Sequence, residues 1–194
     1  MPIGKLFHLT MLVDNLAPTE LFFNRVFAPQ CIMRGYSSHW HRHAAIYVIA
    51  DTSIEPMHVL PPEPGGTATS WYRFLERHGP RIHNLAFYAD DLPALDERLR
   101  SAGIRTTDGG TDGNTLFAHP KDTPGMVEFH TPGDPGFLTT DPRLREPWEA
   151  FRRDYWPNQH PLRLLRLSHI TLLVDDVDAA SGFYGSVLDG TVLP

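Results

Sequence analysis

Cysteine is nearly absent from this chain. Cys31 is the single example in 194 residues, so no intrachain disulfide can staple the fold, and a reducing cytoplasm is the expected compartment. Long apolar runs are absent too. No stretch approaches the roughly 20 residues of a membrane span. The start, Met-Pro-Ile-Gly-Lys-Leu-Phe-His, lacks the unbroken apolar core of a signal peptide. Positive charge is scarce: 17 Lys and Arg stand against 23 Asp and Glu, for a net charge of −6. With no basic run, neither nucleic acid nor an anionic membrane is the expected partner. The apolar fraction of 41% is enough to build a packed core in one or two domains, and the expected partner is a small molecule.

What the chain does have is a phrase used three times. A histidine opens an apolar strand, an acidic residue follows, and a helical pattern comes next: His8-Leu-Thr-Met-Leu-Val-Asp14, His83-Asn-Leu-Ala-Phe-Tyr-Ala-Asp90 and His169-Ile-Thr-Leu-Leu-Val-Asp175. Recurrence of this kind marks one supersecondary unit used repeatedly. The third copy tracks the first at an offset of 161 residues, pairing Thr10 with Thr171, Leu12 with Leu173, Phe22 with Phe183 and Val26 with Val187.

The first unit reads as a strand near Leu6–Val13 and a helix capped by Asp14 or Asn15, with Leu16, Phe22, Phe23, Val26 and Phe27 on its apolar face. Strands follow at Ala44–Ala50 and Ile54–Leu60, and a Pro/Gly-rich break ends the unit. The second unit has a short helix over Trp71–Arg77 and a strand over His83–Ala89. A helix then starts at the Asp91 cap and ends at Gly103, and three short strands close the unit, the last over Met126–Thr131. Residues 133–162 form a Pro-, Arg- and aromatic-rich linker with a helix expected over Pro142–Tyr155. The domain scheme is therefore a barrel over 1–132 (modules 1–66 and 67–132), the linker, and a partial third module over 163–194. The fold class is α+β: paired βαβββ modules forming a curved mixed sheet, an open barrel around a metal cleft.

Strand alternation puts His8 on the face of Thr10 and Leu12, and Glu128 on the face of Met126 and His130. Each unit offers one ligand from its first strand, His8 or His83, and one from its last, His58 or Glu128. Three imidazoles and a carboxylate suit one divalent transition metal such as Fe, Co, Ni, Zn or Mn.

The strand-helix-three-strand units resemble those of the vicinal oxygen chelate superfamily, which includes glyoxalase I, methylmalonyl-CoA epimerase, extradiol dioxygenases and bleomycin-resistance proteins. The resemblance covers about residues 5–132 and again 164–194. It is most specific in the second unit, at Phe74-Leu-Glu-Arg-His-Gly-Pro-Arg-Ile-His83-Asn-Leu-Ala-Phe, Asp90-Asp-Leu, Ala102-Gly-Ile, Phe117-Ala-His-Pro-Lys121 and Gly125-Met-Val-Glu128, which are epimerase-like. The resemblance implies metal ligands on the first, fourth, fifth and eighth strands, matching His8, His58, His83 and Glu128. His58 is matched by its distance from the following proline, and Glu55, three residues earlier, points to the opposite face. The carboxylate that epimerases carry before the third strand is missing. The stretch there reads Ser37-Ser-His39-Trp-His41-Arg-His43, so His41 is the candidate proton shuttle.

Three functions remain open. The first is a metal-dependent isomerase or lyase of the glyoxalase/epimerase kind, binding vicinal oxygens of a small carbonyl or thioester substrate and stabilising an enolate, with Glu128 as ligand and base. The second is an Fe(II) extradiol dioxygenase, and the third a metal-free binding or resistance protein. An unfinished third module exposes strand edges, so a homodimer is expected.

Overall fold

The computed structural model describes residues 3–108, 113–131 and 154–193. Most of the linker helix expected over Pro142–Tyr155 lies outside the described residues. Among the described residues, eight strands and three longer helices occur in the order β1 (Ile3–Leu12), α1 (Leu16–Phe27), β2 (Gln30–Ser37), β3 (Arg42–Ile49), β4 (Thr52–Val59), α2 (Ser70–His78), β5 (Arg81–Ala89), α3 (Leu92–Ser101), β6 (Thr106–Asp108), β7 (Thr115–Ala118) and β8 (Met126–His130). Near the C-terminus, α4 (Val177–Ser181) continues as a π-helical turn over Gly182–Val187. No helix among the described residues is long and apolar enough to cross a membrane.

The chain divides into two compact units, and both β1 and β5 contribute to each of them. The unit built on α1 has strand order β2-β3-β4-β1, with β1 and β4 parallel and β2, β3 and β4 antiparallel. The unit built on α3 has order β5-β8-β7-β6, again with one parallel pair, β5 with β8, and antiparallel pairs after it. Each is one βαβββ module. The parallel pair arises because a helix and two strands separate the partners, enough chain for a crossover connection.

Caps form where short polar side chains precede an apolar periodicity. Asn15 accepts from the Ala17 backbone N–H at 3.0 Å, and Asp91 accepts from Ala94 at 2.9 Å, each satisfying a first-turn donor without an intrahelical partner. Gly103 closes α3 at φ +78°, a conformation that costs glycine nothing. In the α1 unit, Phe23 packs on Ala45, Tyr47 and Ile49 with Trp156 from the short helix at 154–158. In the α3 unit, Leu92, Leu95 and Leu99 pack on Leu116, Ala118, Val127 and Phe129, with Phe183 and Leu188 from the third copy of the repeat.

Two expectations change. Strand β2 was not anticipated. Its core-facing signal is weak because only Gln30 and Ile32 are buried. Conversely, the strand expected from Leu164 does not form: residues 163–174 have no ladder. The alternating pattern is there, but a strand needs a partner for its backbone groups. The helix of this third copy does form, capped by Asp176, which accepts from Ala179 at 2.9 Å.

Candidate functional site

The ladders show which residues of the two modules correspond. In β1 and β4, His8 is opposite Ser53, Thr10 opposite Glu55 and Leu12 opposite Met57. In β5 and β8, Asn84 is opposite Met126, Ala86 opposite Glu128 and Tyr88 opposite His130. Each glutamate therefore faces the residue two places beyond a polar first-strand residue. By this register Glu55 is the counterpart of Glu128, Asn84 of His8, and His130 of Met57. All of His8, Thr10, Glu55, Asn84, Glu128 and His130 are buried, and buried polar groups of this density need partners.

Glu55 has them. Its Oε2 accepts from the Thr10 hydroxyl at 2.9 Å and lies 3.4 Å from His8 Nε2. Its Oε1 accepts from Arg42 Nη1 at 2.7 Å. The Arg42 guanidinium in turn lies over the Trp71 ring at 4.9 Å, and Trp71 packs on Trp40 at 4.7 Å. The chain of contacts runs from β1 through β4 and β3 to α2, so the carboxylate is oriented on both oxygens.

Glu128 is held just as firmly. Asn84 Nδ2 donates to Oε2 at 2.5 Å. His130 Nε2 lies 2.7 Å from Oε1, and the other nitrogen of that ring, Nδ1, is 3.3 Å from Thr115 Oγ1. Phe7 meets the His130 ring edge-on at 5.2 Å and stacks on Tyr88 at 4.6 Å. His130 shares the face of Glu128 because two residues on a strand return to the same side.

Among the described residues, one group of three metal-capable side chains has its ligand atoms within a single ion's reach. One atom each from His8, Glu128 and His130 lies within 4.8 Å of the others. Two imidazoles and a carboxylate, all buried, form a donor set for a first-row divalent metal.

Of the residues expected from sequence, His8 and Glu128 belong to this group. His58 and His83 do not, and alternation is the reason. His58 follows Met57 and lies on the opposite face of β4 from Glu55, half-buried, with Nδ1 3.4 Å from the Val13 carbonyl oxygen. His83 precedes Asn84, so it points away from the side of β5 that carries Asn84. Its ring packs edge-on against Phe74 at 4.7 Å and Trp71 at 6.3 Å. His41, expected as a proton shuttle, occupies the turn before β3 at φ +49°. Its Nε2 lies 3.6 Å from Glu63 and its ring is edge-on to Tyr36.

The residues that sequence reasoning passed over are Glu55, Asn84 and His130. A signal for Asn84 was present. His8 and His169 each precede their acidic residue by six positions, whereas His83 precedes Asp90 by seven and Asn84 by six. Counting back from the aspartate selects Asn84.

Comparison with known proteins agrees with the module geometry. The family model described as a glyoxalase-like domain matches residues 6–188. The chain is similar to the crystal structure of methylmalonyl-CoA epimerase from Mycobacterium tuberculosis, at 25% identity and TM-score 0.56 over 66% of this chain and 87% of that one. It is also similar to the Streptomyces coelicolor methylmalonyl-CoA epimerase in complex with 2-nitronate-propionyl-CoA, at 21% identity and TM-score 0.55 over 68% and 99%. A hypothetical protein from Bacillus halodurans C-125 shares the fold at 18% identity and TM-score 0.58 over 67% and 95%. No curated protein matches the chain. Since the matched span takes in both βαβββ modules and the helix of the third copy, the chain belongs to the glyoxalase-like domain family, within the vicinal oxygen chelate superfamily.

Proposed function

We propose that the protein is a divalent-metal-dependent enzyme of the glyoxalase/epimerase kind. It binds vicinal oxygens of a small carbonyl or thioester compound and stabilises an enolate while a proton is transferred. The observation that carries this proposal is the convergence of His8, Glu128 and His130, next to a second oriented carboxylate, Glu55. The donor set fits the metal: two nitrogens and a carboxylate oxygen, buried, with their outer atoms fixed by Asn84 and Thr115.

When bound, a divalent ion supplies Lewis-acid stabilisation of the negative charge that develops on the substrate oxygens. His8, Glu128 and His130 would hold it. Thr10 and Arg42 keep Glu55 aimed at His8 Nε2. Asn84 fixes Glu128 Oε2, and His130 Nε2 lies 2.7 Å from Oε1, so both oxygens of the carboxylate are oriented. Trp71, stacked on Trp40, lies against the Arg42 guanidinium that holds Glu55.

A second activity is favoured by one specific observation. Two histidines and one carboxylate are also the ligand set of non-haem Fe(II) oxygenases, so extradiol ring cleavage is the competing assignment. The two separate cleanly. Deuterium entering a thioester or 2-oxo acid from heavy water, without oxygen uptake, supports the proton-transfer enzyme. Oxygen consumption with catechols and Fe(II) supports the dioxygenase. Protein that retains no metal after reconstitution contradicts both, leaving a metal-free binding protein. A homodimer in the cytoplasm completes the proposal, and sedimentation equilibrium tests its oligomeric part.

A further inference from the structure

We propose that the α1-facing side of β3 and β4 carries a second site for a borderline transition-metal ion such as Ni²⁺, Cu²⁺ or Zn²⁺, formed by His43 and His58. This site does not depend on the function proposed above, because it lies on the opposite face of the same two strands.

The register carries the argument. His43 and His58 are directly opposite each other in the antiparallel β3–β4 ladder. Opposed residues put their side chains on the same face, with Cβ atoms about 4.5–5.5 Å apart. That spacing lets two imidazoles close on one ion, each nitrogen about 2.0–2.1 Å from the metal. The face is fixed by neighbours on the same strands: Tyr47 and Ile54, in the same alternation as His43 and His58, pack beneath α1. Glu55, between them on β4, faces the other way toward His8 and Thr10.

Exposure and orientation support the pair. His43 is exposed and His58 half-buried, so an ion from solvent can reach both. The Nδ1 edge of His58 faces the Val13 carbonyl oxygen at 3.4 Å. Anchoring one ring nitrogen on a carbonyl is how proteins orient a metal-binding imidazole, leaving the other nitrogen for the ion. The His43 ring sits 5.0 Å from Tyr36, its cross-strand partner on β2, which limits the swing of the ring away from His58. Neutral imidazole donors favour borderline metals over Mg²⁺ or Ca²⁺.

The test is equilibrium dialysis of the full-length protein against Ni²⁺ alone. It compares wild type, the double variant His43→Asn/His58→Asn and the double variant His8→Asn/Glu128→Gln, with near-UV circular dichroism as the check on folding. The expected stoichiometries are two ions per chain for wild type and one for each double variant. Either single substitution, His43→Asn or His58→Asn, should weaken the outer site at least tenfold, because a chelate loses its bite with one arm. If His43→Asn/His58→Asn binds as much Ni²⁺ as wild type with unchanged affinity, the outer site is wrong. A folded His8→Asn/Glu128→Gln protein that binds none also overturns it. If wild type binds one ion and only His43→Asn/His58→Asn loses it, the outer site stands and the inner centre fails.

Discussion

The two modules use one scaffold and fill it differently. In both, a parallel pair of first and last strands places a glutamate opposite the residue two beyond a polar first-strand position: Glu55 by way of Thr10, and Glu128 by way of Ala86. The α1 module keeps a histidine at that first-strand position, His8, and surrounds its glutamate with Thr10 and Arg42. The α3 module has Asn84 there and moves its imidazole to the last strand, as His130 beside Glu128. A duplicated unit thus preserves the carboxylates by register while the nitrogen donors trade places.

The helices are anchored differently as well. Glu20 of α1 bonds Arg34 of β2 at 2.6 and 3.0 Å and accepts from the Tyr47 hydroxyl of β3 at 3.0 Å. In α3, Arg98 reaches Asp189 at 2.6 and 2.8 Å, a contact with the third copy of the repeat. The Arg34 guanidinium holds the Glu20 carboxyl below its ordinary range, assisted by Tyr47 and opposed by burial. Tyr47 is pushed upward, mainly by burial and then by its bond to Glu20.

The largest expected effect comes from removing the shared donors. His8→Ala or Glu128→Gln should abolish stoichiometric metal at the inner centre and lower activity by at least about a hundredfold, since outer partners alone change metal affinity or activity by about 10–100-fold. Metal analysis and deuterium exchange read this, and unchanged exchange in either variant breaks the comparison. Next, Glu55→Gln should lower activity by about tenfold or more while His58→Ala leaves it unaltered. The reverse order would restore His58 as the fourth-strand ligand. Arg42→Met should cost about tenfold by loosening Glu55, with Arg42→Lys giving partial rescue. Asn84→His would make the α3 module resemble the α1 module at the position of His8, and we expect it to tighten metal binding severalfold in a competition assay with a chelating dye.

The smallest effect concerns stability. A carboxyl whose folded pKa is depressed stabilises the fold above its unfolded value, and that contribution disappears as pH falls through the folded value. Glu20→Gln should therefore cost about 1 kcal/mol at neutral pH. The gap from wild type should close on acidification from about pH 4.5 downward. Thermal melts at several pH values check this, and an equal gap at pH 3 and pH 7 would show that the Arg34 pair contributes nothing.

Much of this architecture is legible in the residues. Asn15, Asp91 and Gly103 announce helix ends because capping and left-handed backbone are local chemistry. His8 and Glu128 are legible because each sits in a strongly alternating strand. Glu55 is harder, since the alternation that separates it from His58 does not say which face turns inward. That depends on Thr10 and His8 lying opposite β4. His130 reads as packing until its ring is seen on Glu128. The segment 163–174 shows the converse limit. Its pattern is that of a strand, but ladder partners are a tertiary fact that no local pattern contains.

The account stands most directly on where a metal binds. A crystal grown with a first-row divalent ion and measured at that ion's absorption edge should show an anomalous peak within about 2.0–2.2 Å of ligand atoms from His8 and Glu128, with His130 as the third protein donor. A saturated crystal with no peak at these residues, or with the ion instead bound by His83, would contradict it.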